Sequence, residues 1–283
     1  MIIGYLGPEA TFTHQAVVAF FPNKNYKQFD SIPRVIDGLV DKEVDFCVVP
    51  IENSIEGTVN LTLDYLIHDV DCKIVGELTL AINQHLMINR ANINVSLSDF
   101  ELVCSHPQAI AQSHKFIHNE LTSAKVKLMN STGAAAQYVS ENSGVLAVAI
   151  SNGLAAEKYG LEIIKKNIQS YENNFTRFIV LAPKDSIENY NFSQTSKTKA
   201  TILIDPPNNQ AGLLHQILSA FAWRKLDLSK IESRPAKTGL GKYYFIVDVQ
   251  IVEENDHVLL EFAKSEIEAL GSTVTVLGIY PYI

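Results

Sequence analysis

The chain alternates short apolar runs with stretches whose apolar positions recur at helical spacing. Ile2 to Leu6 reads as a buried strand, Gly7-Pro8 turns the chain, and Thr11 stands where a helix through Ala16, Val17, Phe20 and Phe21 needs its cap. A second strand runs from Tyr26 to Phe29, and Ser31 caps a helix with Pro33 at an early, tolerated position. Val44 to Val49 is continuously apolar, as befits a strand buried on both faces of a parallel sheet. The pattern is β-α-β-α-β, an α/β layer. A helix then starts near Thr58 and carries Leu61, Tyr65 and Leu66. Strands follow at Lys73–Ile82, His85–Ile88, Glu101–Cys104, Val126–Met129, Gly144–Ile150, Ile163–Ile164 and Phe178–Leu181. The helices between them open at Ser105-His106-Pro107, Ser131-Thr132-Gly133 and Ser151-Asn152-Gly153.

One arrangement recurs. At Asn53-Ser54, Ser105-His106, Ser131-Thr132 and Ser151-Asn152 a strand ends, a polar pair follows and a helix begins. Ligands of parallel α/β sheets bind beyond the carboxyl ends of the strands. Helix starts there offer unpaired N–H groups and a positive dipole end to anions. Taken singly, each pair is an ordinary helix cap. Together they indicate a crevice and an anionic ligand without naming the chemistry.

From Pro183 to Lys199 the chain is poor in apolar residues, and we read 184–198 as a linker between domains 1–183 and 199–283. Beyond it the texture changes. Ala200–Ile204 is a strand, Pro206-Pro207-Asn208 a turn, and Leu214, Ile217, Leu218 and Phe221 form one helical stripe. Strands at Leu228–Glu232 and Tyr243–Val249, a second stripe (Leu259, Ala263, Ile267, Leu270) and a strand at Val274–Tyr280 complete β-α-β-β-α-β, the ferredoxin-like order.

With 283 residues, 47% of them apolar, the chain can bury a sizeable core in about two domains. Its net charge of −8 argues against nucleic acid or an anionic membrane as partner, and an anionic substrate would need local cations or dipoles. Cys47, Cys72 and Cys104 are widely spaced and read as reduced, buried thiols. No spacing typical of a metal site appears, the apolar runs are too short to span a membrane, and the N-terminus reads as a strand. The expected setting is cytoplasmic, with no protein-built metal site.

The densest candidate chemistry is Asn173-Asn174-Phe175-Thr176-Arg177-Phe178, a hydroxyl and a guanidinium side by side at the mouth of a buried strand. Neighbouring strand residues face opposite ways, so joint service to one ligand requires irregular backbone there. The plainer reading is a surface ion pair for Arg177 and a β-favouring Thr176.

Five segments carry a family resemblance: Gly4-Tyr5-Leu6-Gly7-Pro8-Glu9-Ala10-Thr11-Phe12-Thr13-His14, Pro50-Ile51-Glu52-Asn53-Ser54, Ser105-His106-Pro107-Gln108-Ala109, Ser131-Thr132, and Asn174-Phe175-Thr176-Arg177-Phe178. In order and spacing the chain resembles the monofunctional prephenate dehydratases of bacteria, and its tail resembles an ACT regulatory domain through Glu232-Ser233-Arg234-Pro235. A second ACT motif departs from the usual pattern as Gly212-Leu213-Leu214-His215.

The resemblance implies a two-lobed, periplasmic-binding-protein-like catalytic domain followed by a ferredoxin-like (βαββαβ) ACT domain. It implies cofactor-free conversion of prephenate to phenylpyruvate in phenylalanine biosynthesis. It also implies feedback inhibition by L-phenylalanine in a homodimer or homotetramer. Under it Thr176 serves the leaving hydroxyl, with Glu52 and His106 as alternative acids. Arg177 forks onto a carboxylate, and Phe178 walls the cleft. Thr11, Asn53, Ser54, Ser105, His106, Ser131 and Thr132 complete the substrate site. Gly212, Leu213, Leu214, Glu232, Ser233 and Arg234 form the effector site; Glu232 and Arg234 serve there as charge partners of a zwitterion or of each other. The rival readings are an arogenate dehydratase and a non-catalytic sensor of small acids.

Overall fold

A computed structural model describes residues 1–185, 197–207, 210–237 and 242–283. Of the expected linker, residues 186–196 lie outside that description, as does Asn208 of the expected turn. In chain order the elements are β1 (Ile2–Leu6), α1 (Phe12–Phe20), β2 (Asn25–Phe29), α2 (Ile32–Val40), β3 (Phe46–Asn53), β4 (Gly57–Thr58), α3 (Asn60–His68), β5 (Cys72–Ala81), β6 (His85–Ile88), β7 (Leu102–Ser105), α4 (Pro107–Gln112), α5 (His114–Glu120) and β8 (Lys125–Leu128). There follow α6 (Thr132–Glu141), β9 (Ala147–Ser151), α7 (Gly153–Tyr159), β10 (Glu162–Lys165), β11 (Phe175–Pro183), β12 (Thr198–Asp205), α8 (Leu213–Ala222), β13 (Leu228–Pro235), β14 (Tyr243–Ile251), α9 (Asp256–Ala269) and β15 (Thr273–Pro281).

Two compact units result, one of Met1–Leu63 with Thr79–Phe178, the other of Asp64–Leu78 with Ile179–Ile283. The first unit has two lobes, each built on one sheet. In the first lobe β1 pairs in parallel with β2 and β3. Thr58, expected to start a helix, instead pairs with Glu52 through β4, and α3 starts at Asn60. In the second lobe the order is β10-β6-β9-β7-β8. There β7 runs parallel to β8 and β9, while β6 and β10 run antiparallel.

The continuous apolar runs of this second sheet are explained by burial on both faces. Met87, Cys104, Ala147 and Ala149 face a cluster that includes Ala135, Ala136, Ala155 and Ala156 of α6 and α7. Leu86, Ile88, Val103, Val148 and Ile150 face the other way, with Phe100 and Leu121. Alternation thus puts small side chains under the alanine-rich helices, which can approach closely, and branched ones on the opposite face.

The lobes are joined through the loop after β1. Ala10 sits in the alanine cluster of the second lobe, and Asn152 Nδ2 donates to its carbonyl at 3.0 Å. Gly133, in the first turn of α6, lies so close that an added Cβ would come 2.5 Å from the Glu9 carbonyl oxygen. Gly133→Ala is therefore expected to cost ~1–3 kcal/mol, as overpacking does, read as a lower midpoint of thermal unfolding. A variant that melts with the wild type would show that the Glu9 loop yields freely.

The caps expected from the sequence form. Thr11, Ser31, Ser131 and Asn152 accept from backbone N–H groups three residues on. The expected helix from Ser105-His106 is broken at Ser113 into α4 and α5.

In the four-stranded sheet of the second unit the strand pairs are antiparallel, in the order β13-β14-β12-β15. Ile202, Ile204, Val247, Val249, Ile217, Phe221, Ala263 and Ile267 form its core between the sheet and α8 and α9. The sequence order β-α-β-β-α-β is the ferredoxin-like one expected.

Candidate functional site

A cavity of about 400 Å³ opens between the lobes of the first unit. Asn53, Thr176 and Phe178 line it from the first lobe, and His106, Gln108, Gln112 and Thr132 from the second. Phe12 and Thr13 bring the start of α1, Ile82 and Gln84 the crossover between lobes, and Glu56, Thr58 and Val59 the loop after β3. The amino ends of α1, α4 and α6 thus meet at one cavity, which offers amide donors to an anion.

Thr176 is only 8% exposed, and its orientation is set by a chain of carboxamides. Asn174 Nδ2 donates to Gln112 Oε1 at 3.0 Å. Asn53 Nδ2 donates to Asn174 Oδ1 at 3.0 Å and to Thr176 Oγ1 at 2.9 Å. Asn53 Oδ1 in turn accepts from the Ile55 and Glu56 amides, so both ends of this side chain are held. Because Thr176 Oγ1 accepts from Asn53, the hydroxyl hydrogen is turned away from that amide and available to donate.

The structure takes Arg177 out of the cavity lining. β11 is regular strand from Phe175 onward, so Thr176 and Phe178 share a face and Arg177 takes the other. Its Nη1 meets Glu52 Oε2 at 2.5 Å. Glu52 does not line the cavity either, which leaves His106 as the alternative acid that does. His106 Nδ1 accepts from Gln108 N at 3.3 Å, a helix-cap contact.

Four further residues expected at the site do local structural work. Thr11 Oγ1 accepts from His14 N and donates to the Pro8 carbonyl. Ser54 Oγ donates to the Asn173 carbonyl and accepts from Phe175 N, and so ties β11 to the loop after β3. Ser105 Oγ donates to Ile150 O in the sheet at 2.7 Å, and Ser131 Oγ caps α6. Ser151-Asn152, the fourth polar pair, is absent from the lining, since Asn152 holds Ala10. Thr13, Gln84 and Gln112 were not anticipated.

Cys72 and Cys104 offer no nucleophile near neutral pH, since burial raises both thiols to about 11. Among the described residues no group of three or more His, Cys, Asp or Glu could hold a metal ion. No helix there is long and apolar enough to cross a membrane.

The second unit has its own cavity, of about 590 Å³, at the start of α8. Gly212, Leu213, Leu214 and Ser233, four of the residues expected at an effector site, line it, joined by His215, Leu218, Lys242, Tyr243 and Phe245. Gly212 adopts φ +86°, where a glycine is at ease, and caps α8 without a side chain. Glu232 and Arg234 are not in the lining. Strand alternation along β13 sends them to the face opposite Ser233, where Glu232 meets Lys230 at 3.1 Å and Arg234 meets Asp64 at 2.8 Å. Burial pushes the Asp64 carboxyl up, but hydrogen bonds from Arg234 and Lys237 outweigh it and hold the group below the usual range.

Known proteins resemble the chain over nearly its whole length. Residues 3–186 match the family model described as prephenate dehydratase. The prephenate dehydratase of Bacillus subtilis is 47% identical over 283 residues, covering 99% of this chain and 98% of the relative. That of Lactococcus lactis subsp. cremoris is 39% identical over 280 residues, covering 99% and 97%. Among solved structures, a prephenate dehydratase from Arthrobacter aurescens in complex with L-Phe superposes with a TM-score of 0.84 at 28% identity, over 99% of this chain and 90% of the other. One from Staphylococcus aureus superposes with a TM-score of 0.81 at 31% identity, over 99% and 100%.

Proposed function

This chain belongs to the prephenate dehydratase family, and from that premise we propose that the interlobe cavity is its active site, with Thr176 as the group that assists the leaving hydroxyl. The reaction is the decarboxylating dehydration of prephenate to phenylpyruvate in phenylalanine biosynthesis. The relatives' name favours the keto acid over its amino analogue arogenate. Prephenate is a dianion with a ring carboxylate, a pyruvyl carboxylate and a ring hydroxyl. The C–CO₂ bond breaks, its electron pair enters the ring, and the C–O bond breaks on the far side. The departing oxygen takes up one proton and leaves as water. Aromatisation drives the change.

One observation carries this reading. A nearly buried hydroxyl, Thr176, is held by Asn53 with its hydrogen free for donation, at a cavity where three helix starts converge. A threonine hydroxyl is too weak an acid to release a proton outright at neutral pH. Its part is therefore to hydrogen-bond the leaving oxygen and pass on a proton supplied through water. Helix-start amides and Thr132 suit the pyruvyl carboxylate. Among the described residues lining the cavity there is no Lys or Arg. That suits the carboxylate that must leave, since a cation held against it would stabilise the charge it has to surrender.

The test is incubation with prephenate, without added metal or cofactor, while phenylpyruvate absorbance is followed. Steady appearance of the product is expected, and a flat trace with folded protein would overturn the reading.

For the second unit we propose L-phenylalanine as effector, a reading supported by the Arthrobacter aurescens relative's having been solved in complex with L-Phe. The apolar walls of Leu213, Leu218 and Phe245 suit the ring. The open start of α8 with Lys242 suits the carboxylate, in place of the expected Arg234. By linkage the inhibitor must favour one state of the enzyme over another. Titration calorimetry is expected to register phenylalanine binding, and silence at millimolar ligand would reduce the unit to an assembly module. Assembly as a homodimer or homotetramer, in the cytoplasm, completes the proposal, and sedimentation measures the former.

A further inference from the structure

Gln84 sits at the crossover from the first lobe to the second. It is 2% exposed, yet it lines the catalytic cavity. Its backbone is fixed to the returning crossover: Gln84 N donates to Gln169 Oε1 at 3.0 Å, and Gln84 O accepts from Ile168 N at 2.8 Å. Gln169 is itself held, since its Nε2 donates to Asn83 Oδ1 at 3.2 Å. The side chain differs from the backbone. Gln84 Oε1 is buried and has no hydrogen-bond partner among the described residues. A buried acceptor left unmet is destabilising, so a site that retains one calls for an account of what fills it.

We propose that Gln84 is a substrate-positioning residue: when substrate binds, its carboxamide turns so that the oxygen, enclosed in the free protein, accepts the hydrogen of the substrate's ring hydroxyl. The inference rests on the reading of the cavity as the dehydratase site. Neither carboxylate of the substrate has a hydrogen to give at neutral pH, and neither does the keto group, so the ring hydroxyl is the donor that fits an acceptor. Taking that hydrogen points the hydroxyl's lone pairs elsewhere, toward a donor such as Thr176. When the C–O bond breaks, the oxygen leaves as water with two hydrogens, its own and the one received. Gln84 continues to accept the first while the second arrives from the Thr176 side, so the contact persists through the step.

The experiment compares wild type with Gln84→Met, which keeps the length and removes the acceptor. Loss of one hydrogen bond predicts a fall in kcat/KM of about three- to tenfold. The Tm of the free protein should stay level or rise, because an unmet buried acceptor has been replaced by an apolar group of similar shape. Phenylpyruvate lacks the hydroxyl, so its inhibition constant as product should not change. A kcat/KM within twofold of wild type overturns the proposal. A Tm several degrees lower overturns it too, since the role would then be structural, and so does a parallel weakening of product inhibition. Gln84→Asn, which stays polar and draws the acceptor back, guards against a variant that fails to fold; it should lose kcat/KM with the product constant intact, and full activity in it counts against the proposal. Wild-type protein inactive on prephenate would instead bring down the underlying reading, and this inference with it.

Discussion

Thr176→Ala is expected to lower turnover of prephenate by ~10²–10⁴, the range for a group that assists proton transfer, while the protein stays folded. The threonine lies at the cavity end of β11, and only its Oγ1 bonds to Asn53. Removing the hydroxyl leaves the strand in place, and Asn53 keeps its bond to Asn174 and those it accepts from Ile55 and Glu56. The loss should therefore fall on kcat with KM little changed, because the hydrogen bond strengthens as charge grows on the departing oxygen. Thr176→Ser, which restores the hydroxyl, should recover most of the rate. Asn53→Ala should mimic part of the loss by releasing the hydroxyl from its fixed direction. Near-normal kcat in Thr176→Ala would transfer the role to another lining group, with His106 the first to test.

Much of the frame was legible because it rests on local chemistry. Thr11, Ser31, Ser131 and Asn152 were readable as caps, since a hydroxyl or amide before an apolar stripe meets the unpaired N–H groups of a first turn. The ferredoxin-like order was equally readable from two helical stripes set among four strands.

The phase of a strand against its cavity was not legible. Thr176 and Arg177 are neighbours in sequence, but period two lets one of them face the cavity and commits the other to the far side. The same rule separates Ser233 from Glu232 and Arg234. The partners that absorb the two excluded guanidinium charges, Glu52 and Asp64, come from distant stretches that no local pattern connects to them. Gln112 was missed inside a helix, although Gln108 and Gln112 stand four apart on the face that also carries Ala109, a polar pair where a purely structural helix would be apolar. Gln84 carried no signal, since only burial and a missing partner single it out. Nor does the sequence indicate that Asp64–Leu78 belongs with the C-terminal unit.

That last segment brings the second large expected effect, Lys199→Met. Lys199 Nζ meets Glu77 Oε1 at 2.8 Å, and the two side chains are only 6% and 1% exposed. The pair lies at one end of a buried polar chain. Tyr280 Oη approaches Glu77 Oε2 at 3.4 Å and Thr201 Oγ1 at 2.6 Å, and Thr201 donates to Asp248 Oδ1 at 2.7 Å. Charges this deep have given up their water, and their pairing offsets part of that loss. Removing the ammonium alone takes the cation at 2.8 Å away from a buried carboxylate, at an expected cost of ~3–5 kcal/mol. That loss should appear as a lower urea midpoint for the unit that holds the pair. Glu77→Gln combined with Lys199→Met removes both charges and should recover most of the loss, since swapping a buried pair for neutral groups is far milder than breaking it. The cycle of the two single variants and the double one isolates the coupling. Single and double variants equally close to wild type would mean that water reaches the pair and screens it. A double variant worse than either single would place the stability in the Tyr280–Thr201–Asp248 chain that the carboxylate supports.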